Sequence, residues 1–417
     1  MDKIIIIGGK RLSGKVTVGG AKNAVLPVMA ATLLSPDTYH ITRVPDLRDT
    51  RTMIRLLKII GAEVSFENNV LIVDTRKCDH PEAPYGLVKT MRASFYVLGP
   101  LLSRFGYAKV SLPGGCAWGP RPVNFHVDAM RILGAEVNLE EGYIIAKSKQ
   151  LNGSQIKFEV SSVGATGNAL MAAVKAKGVT VIENAAREPE ITCLCEFLNK
   201  MGANISGIGT HRLTVQGVEE LHGIKFEVIP DRIEAATFLI AGAMIGDEID
   251  IRGINVSHLE IVLDKLRDSG CQIMEQKDQV TISGGEIILP RSIKTGVYPG
   301  FPTDLQAQWM ALMALAKGTS LITDTIYHDR FTHIAELNRL GAKITLDQNT
   351  ATVTGQSKLK GAPVMSTDIR ASASLILAAL AAKGRTDISR VYHIDRGYEK
   401  IEEKFKRLGA DIWREKE

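Results

Sequence analysis

Residues 56–66 read LLKIIGAEVSF, and the same phrase returns along the chain as MRILGAEVNL (130–139), LNKMGANIS (198–206), LRDSGCQIM (266–274), LNRLGAKITL (337–346) and FKRLGADIW (405–413). Each copy is the end of an amphipathic helix, a glycine, and the start of an alternating strand. The glycines are Gly61, Gly134, Gly202, Gly270, Gly341 and Gly409, separated by 73, 68, 68, 71 and 68 residues. Glycine at that point supplies the left-handed backbone angle that closes a helix. The alternation that follows, as in EVSFENNVLIV (63–73), predicts two short antiparallel strands around a polar turn.

Upstream of each copy lies an apolar, alanine-rich segment leading into another strand. Examples are 23–44 (NAVLPVMAATLLSPDTYHITRV), 168–184 (NALMAAVKAKGVTVIEN), 236–253 (ATFLIAGAMIGDEIDIRG) and 374–391 (SLILAALAAKGRTDISRV). Helices apolar on every side belong inside a protein. The repeating unit is therefore helix, strand, loop, helix, strand, strand, and six copies predict an α/β (α+β) chain of two three-unit domains. The break falls at Ile229-Pro230, giving one domain over 22–229 and a second over 1–21 plus 230–417. In this reading the first strand pairs with the second half, which predicts two crossings and a small-molecule cleft between the domains.

Composition agrees with a folded chain: 45% of its 417 residues are apolar and 23% charged. The net charge of +5 suits small anionic ligands but lacks the basic stripe of a nucleic-acid binder. Cysteines at 78, 116, 193, 195 and 271 form no CxxC pair and are odd in number, which argues against a disulfide framework or a structural zinc site. The isoleucine run Ile4–Ile7 is too short for a signal-peptide core, and no apolar stretch is long enough to span a membrane, so the expectation is a cytoplasmic protein.

Unusual charges recur at two places in the unit. The apolar helices begin near Lys22-Asn23, Arg92, Gly164 to Thr166, Asp231-Arg232, Thr303-Asp304 and Asp368 to Arg370. The loop before the amphipathic helix carries Arg48, Arg121, Arg187, Arg330 and Arg396 in five of the six units. Helix starts present unpaired N–H groups and the positive end of the dipole, so cations added there make sites for multiply charged anions. The alternative pairs each arginine with a neighbouring acid, as 231–232, 329–330 and 395–396 invite.

Residues 112–126, LPGGCAWGPRPVNFH, place Cys116 among glycines and near Arg121. This stretch resembles the cysteine loop of the UDP-N-acetylglucosamine 1-carboxyvinyltransferase family, enolpyruvyl transferases similar to EPSP synthase. The resemblance covers essentially the whole chain. It takes in GGAKNAVLPVMAA (19–31), SSVGAT (161–166), ENAAREPEI (183–191), PDRIEA (230–235), FPTDLQAQ (301–308), STDIRASASL (366–375) and YHIDRGYEKIE (392–402). It implies a two-domain inside-out α/β barrel, three units per domain, with no cofactor and no metal.

The substrates implied are phosphoenolpyruvate and UDP-N-acetylglucosamine, with neither nucleic acid nor membrane as partner. By resemblance Cys116 is the proton donor to the methylene carbon and the residue that forms a covalent adduct, and Asp304 is the base at the sugar hydroxyl. Lys22, Asn23, Arg121, Arg330, Arg370 and Arg396 fall where the family binds phosphoenolpyruvate. Asn23, Arg92, Arg121, Pro122, Val123, Asn124, Phe125, Ser162, Val163, Gly164, Asp304 and Ile326 fall where it binds the sugar nucleotide. The chain departs from the usual pattern at Val160, Asn124, Phe125 and Trp118. Two rivals are the shikimate-pathway enolpyruvyl transferase, which shares the repeat and the chemistry, and a non-catalytic phosphate- or RNA-binding repeat protein.

Overall fold

The computed structural model describes residues 2–112 and 123–416. Its strands form six four-stranded sheets of a common layout. In one of them Thr38–Thr42 pairs antiparallel with Val70–Asp74, which pairs antiparallel with Glu63–Glu67. Asn68 and Asn69 make the hairpin turn with φ of +48° and +60°, the angles a two-residue turn needs to match strand twist. On the other edge Lys225–Glu227 runs parallel to Thr38–Thr42. This fourth strand was not expected from the sequence. In other sheets it is Glu82–Ala83, Ile293–Lys294 or Val364–Met365, too short to display an alternating pattern.

Two compact units emerge, Gly20–Ile229 and Met1–Gly19 with Pro230–Glu417. In the second, Asp2–Gly8 lies between Gly384–Ser389 and Asp411–Lys416, antiparallel to both. Leu12–Thr17 runs parallel to Gly246–Arg252. The amino-terminal strands thereby complete two sheets of the later half, while Lys225–Glu227 completes a sheet of the earlier one. Each pairing covers a strand edge that would otherwise be open.

The apolar helices are interior, as their composition requires. Lys22–Ala31, Val163–Ala173, Arg232–Ile245, Gln306–Met313 and Ile369–Ala381 bury nearly every residue after the first turn. Large side chains such as Phe238, Trp309 and Leu375 lose essentially all their exposure, at about 1.5–3 kcal/mol for each large aliphatic or Phe residue. Amphipathic helices such as Arg48–Ile60 and Pro189–Lys200 pack one face on this core. All six repeat glycines carry positive φ, from +90° to +110°, so the repeated phrase is a helix stop. Arg48 is the first residue of its helix rather than part of the preceding loop. Among the described residues, no helix is long and apolar enough to cross a membrane.

Candidate active site

Within the unit containing residues 230–417, a short turn at Thr303–Leu305 starts the buried helix Gln306–Met313 and presents Asp304. One carboxylate oxygen accepts from Arg330 Nη1 at 2.8 Å, the other from Arg370 Nη2 at 2.7 Å. The arginine side chains are 10% and 5% exposed, while Asp304 keeps 24%. The carboxylate is thus the reachable member of a cluster whose cations are inside. Burial by itself would raise its proton affinity, but Arg370 and Arg330 outweigh that and hold Asp304 well below the usual carboxylate range. In this arrangement it is an anion and a weak base.

The cluster is anchored from beneath. Arg330 Nη1 also donates to Thr303 Oγ1 at 3.2 Å, and Thr303 donates to Asp324 Oδ2 at 2.7 Å. Asp324, fully buried at the end of strand Thr319–Thr323, accepts at Oδ1 from Thr295 and from the amides of Ile326 and Tyr327. It therefore fixes the loop that carries Ile326. Sequence reading missed Asp324, because a single acid after an apolar strand carries no pattern. Arg396 ends the turn Val391–Arg396 and is partly exposed. Its neighbour Asp395 accepts from Arg414 at 2.9 and 2.7 Å, and Asp231 caps its own helix by accepting from the amides of Ile233 and Glu234.

The unit Gly20–Ile229 holds the other described candidates. Lys22 opens its helix, with Nζ 3.3 Å from Asp49 Oδ2, and both side chains are largely buried. Asn23 follows it, and Arg92 opens the turn that leads into helix Leu98–Phe105. Ser162 caps helix Val163–Ala173 by accepting from the Ala165 amide at 3.3 Å. A Cβ on Gly164 would sit 3.0 Å from the His126 ring, so glycine there lets the helix start lie against that imidazole. Val123 precedes helix Asn124–Ile132, and Phe125 meets Phe158 edge to face at 6.2 Å. Val160 is exposed. Cys116, Arg121, Pro122 and Trp118 lie outside the described residues.

His126 is a further buried group that sequence reading did not single out. Asn168 Oδ1 accepts the Gly99 amide, so its nitrogen must donate to His126 Nδ1, 2.8 Å away, leaving the ring proton on Nε2. Burial, then the charge of Arg92, pushes this imidazole down to about 3. Burial likewise takes His333 down to about 4, with Arg330 adding to the effect. Both are neutral when folded, so their unfolded forms take up protons first as pH falls. Stability is therefore complete above about pH 6.5 and declines as pH drops towards the folded values. At pH 5 each histidine costs about 2 kcal/mol. Urea midpoints at pH 7 and pH 5 should differ less in His126→Gln than in the wild type, and an equal difference would contradict a neutral buried ring.

Among the described residues no group of three or more His, Cys, Asp or Glu side chains is placed to hold a metal ion. The arrangement is instead an ionised carboxylate framed by cations, suited to a hydroxyl-bearing ligand beside an anion.

Residues 6–405 match the family model described as EPSP synthase (3-phosphoshikimate 1-carboxyvinyltransferase). The chain belongs to this family of enolpyruvyl transferases, and it is a transferase. It is 57% identical over 418 residues to the UDP-N-acetylglucosamine 1-carboxyvinyltransferase of Chlorobaculum parvum, covering 100% of this chain and 99% of that protein. Its fold is similar to the crystal structure of the enolpyruvyl transferase NikO from Streptomyces tendae, with a TM-score of 0.90 and 28% identity over 99% of this chain and 98% of that one. EPSP synthase from Acinetobacter baumannii shares the fold at a TM-score of 0.76 and 18% identity, each chain covered completely.

Proposed function

We propose that the chain transfers the enolpyruvyl group of phosphoenolpyruvate to the 3-hydroxyl of UDP-N-acetylglucosamine and releases phosphate, the first committed step of peptidoglycan synthesis. The observation that carries this reading is Asp304, a reachable carboxylate gripped by two buried guanidiniums, in a chain related end to end to enzymes of that name. The reaction is an addition followed by an elimination. The sugar hydroxyl attacks C2 while C3 gains a proton, and phosphate leaves as C3 gives a proton back.

The roles are those the resemblance implies, and charge supports them at the anion site. Arg330, Arg370 and Arg396, with Lys22 and Arg121, hold the carboxylate and phosphate of phosphoenolpyruvate, each charge-assisted contact contributing about 1.5–3 kcal/mol. Asn23 assists at this anion. That anion competes for the two guanidiniums on Asp304 and repels its charge, and both effects raise the proton affinity of the carboxylate. Asp304 thereby gains basicity when both substrates are present and takes the hydroxyl proton. Cys116 acts on the C3 side, as proton donor or through its adduct. Asn23, Arg92, Arg121 to Phe125, Ser162 to Gly164, Asp304 and Ile326 receive the sugar nucleotide. In the same reading each domain is a three-unit inside-out α/β barrel, and the enzyme works in the cytoplasm without cofactor, metal or nucleic acid.

The test is phosphate release with phosphoenolpyruvate plus either UDP-N-acetylglucosamine or shikimate 3-phosphate. Turnover is expected with the sugar nucleotide alone. Turnover with shikimate 3-phosphate and none with the nucleotide would overturn the reading.

A further inference from the structure

Four segments of the second unit meet at the hydroxyl of Tyr398, which is 2% exposed. Arg370 Nη1 points at it from helix Ile369–Ala381 at 3.4 Å, and Gln308 Nε2 donates from helix Gln306–Met313 at 3.2 Å. Thr237 Oγ1, on helix Arg232–Ile245, lies 2.8 Å away. Thr237 donates its own proton to the Ile233 carbonyl at 2.8 Å. Its remaining capacity is to accept, so the Tyr398 proton points to Thr237 and the phenol oxygen accepts from Arg370 and Gln308. One donor and two acceptor sites are all that a phenol has, and all are used. The Arg370 guanidinium also lies 5.7 Å from the Tyr398 ring centroid, within cation–π range. Gln308 additionally donates to the Asp304 carbonyl at 3.1 Å.

Arg370 therefore has its two terminal nitrogens assigned to different tasks. Nη1 is fixed on Tyr398, and Nη2 is left aimed at the Asp304 carboxylate. We infer that Tyr398, oriented by Thr237 and Gln308, is a positioning residue that sets the angle at which Arg370 meets Asp304, an inference that rests on the role proposed for Asp304. The direction of every bond is settled by the fixed ends: a guanidinium, which only donates, at one end and a helix carbonyl at the other. Tyr398 stands two residues after Arg396, so the same clamp ties the segment of that arginine to the carboxylate.

The charged and titratable groups acting here are Arg370 and Arg330 on Asp304, Asp231 and Tyr398 on Arg370, and Asp324 reached through Thr303. Tyr398→Phe keeps the ring and its contact with the guanidinium and removes only the hydroxyl. Its kcat is expected to fall about tenfold with the KM for UDP-N-acetylglucosamine within about twofold, since a misaimed partner affects proton transfer more than binding. The acid limb of the kcat/KM profile should move to higher pH, because a loosened Arg370 depresses Asp304 less. Thr237→Val, which removes the acceptor for the phenol proton at nearly constant volume, should shift both in the same direction by less.

A readout without substrate separates this inference from the functional reading. Carbon-13 titration of the Asp304 carboxyl should show a higher midpoint in Tyr398→Phe and in Thr237→Val than in the wild type. Wild-type turnover tests the substrates independently of that titration. A lower melting temperature with unchanged Asp304 midpoint and superimposable pH profile in both variants would make Tyr398 a packing residue and overturn the inference.

Discussion

Asp304→Asn is expected to lower kcat by about a hundredfold or more, because removal of a positioned base typically costs 10²–10⁴ in rate. The asparagine keeps the shape and one acceptor oxygen, so nucleotide binding should survive, and isothermal titration with UDP-N-acetylglucosamine checks that. The same variant should be less stable at neutral pH. Arg330 and Arg370 are 10% and 5% exposed and would be left sharing a neutral partner, and breaking a buried pair costs about 3–5 kcal/mol.

The pH dependence fixes the sign. Asp304 has a folded proton affinity held far below the unfolded value. Its contribution to stability is therefore complete above an unfolded pKa of about 3.9 and is lost as pH falls through the folded value. Asp304→Asn lacks that contribution at every pH, so its urea midpoint should lie below the wild type at pH 7 and converge on it in strong acid. A constant gap down to pH 2 would contradict the depressed proton affinity, and a near-normal rate would reduce Asp304 to a binding residue.

What could be read in the sequence was whatever the backbone or the periodicity enforces locally. A helix stop before a strand needs a left-handed residue, so Gly61 and its five counterparts stood out, and each has positive φ. The interior helices announced themselves because a segment such as 374–382 offers no polar side to water. Asp304, Arg330 and Arg370 were legible as charges at recurring positions. Their partnership was not: Arg330 reaches Asp304 across 26 residues and Arg370 across 66, whereas local reading invited Arg330 to pair with Asp329. The clamp was less visible still. Thr237 and Tyr398 are 161 residues apart, and a threonine in an apolar helix or a tyrosine after a turn is ordinary by type. Only the packing of Arg232–Ile245, Gln306–Met313 and Ile369–Ala381 makes them neighbours. The short parallel strands escaped for the opposite reason, since two or three residues hold too little pattern to read.

Arg370 separates charge from geometry, and two substitutions are expected to pull them apart. Arg370→Ala removes the buried cation, leaving the Tyr398 oxygen and one Asp304 oxygen each short of a donor. Losing a buried charge partner costs about 2–5 kcal/mol. If that loss is realised in the transition state, kcat/KM for phosphoenolpyruvate falls about thirtyfold at the lower end and beyond a thousandfold at the upper. Asp304, relieved of one of its two cations, should also titrate higher, so the acid limb of the rate profile moves up. Arg370→Lys keeps the charge but not the fork: one ammonium on a flexible stem does not span Tyr398 and Asp304 as a planar guanidinium does. The lysine variant should therefore return the acid limb towards the wild-type position while recovering little of the rate. Recovery of both would mean that charge alone suffices at this position, and recovery of neither would mean that the cation does not set the proton affinity of Asp304.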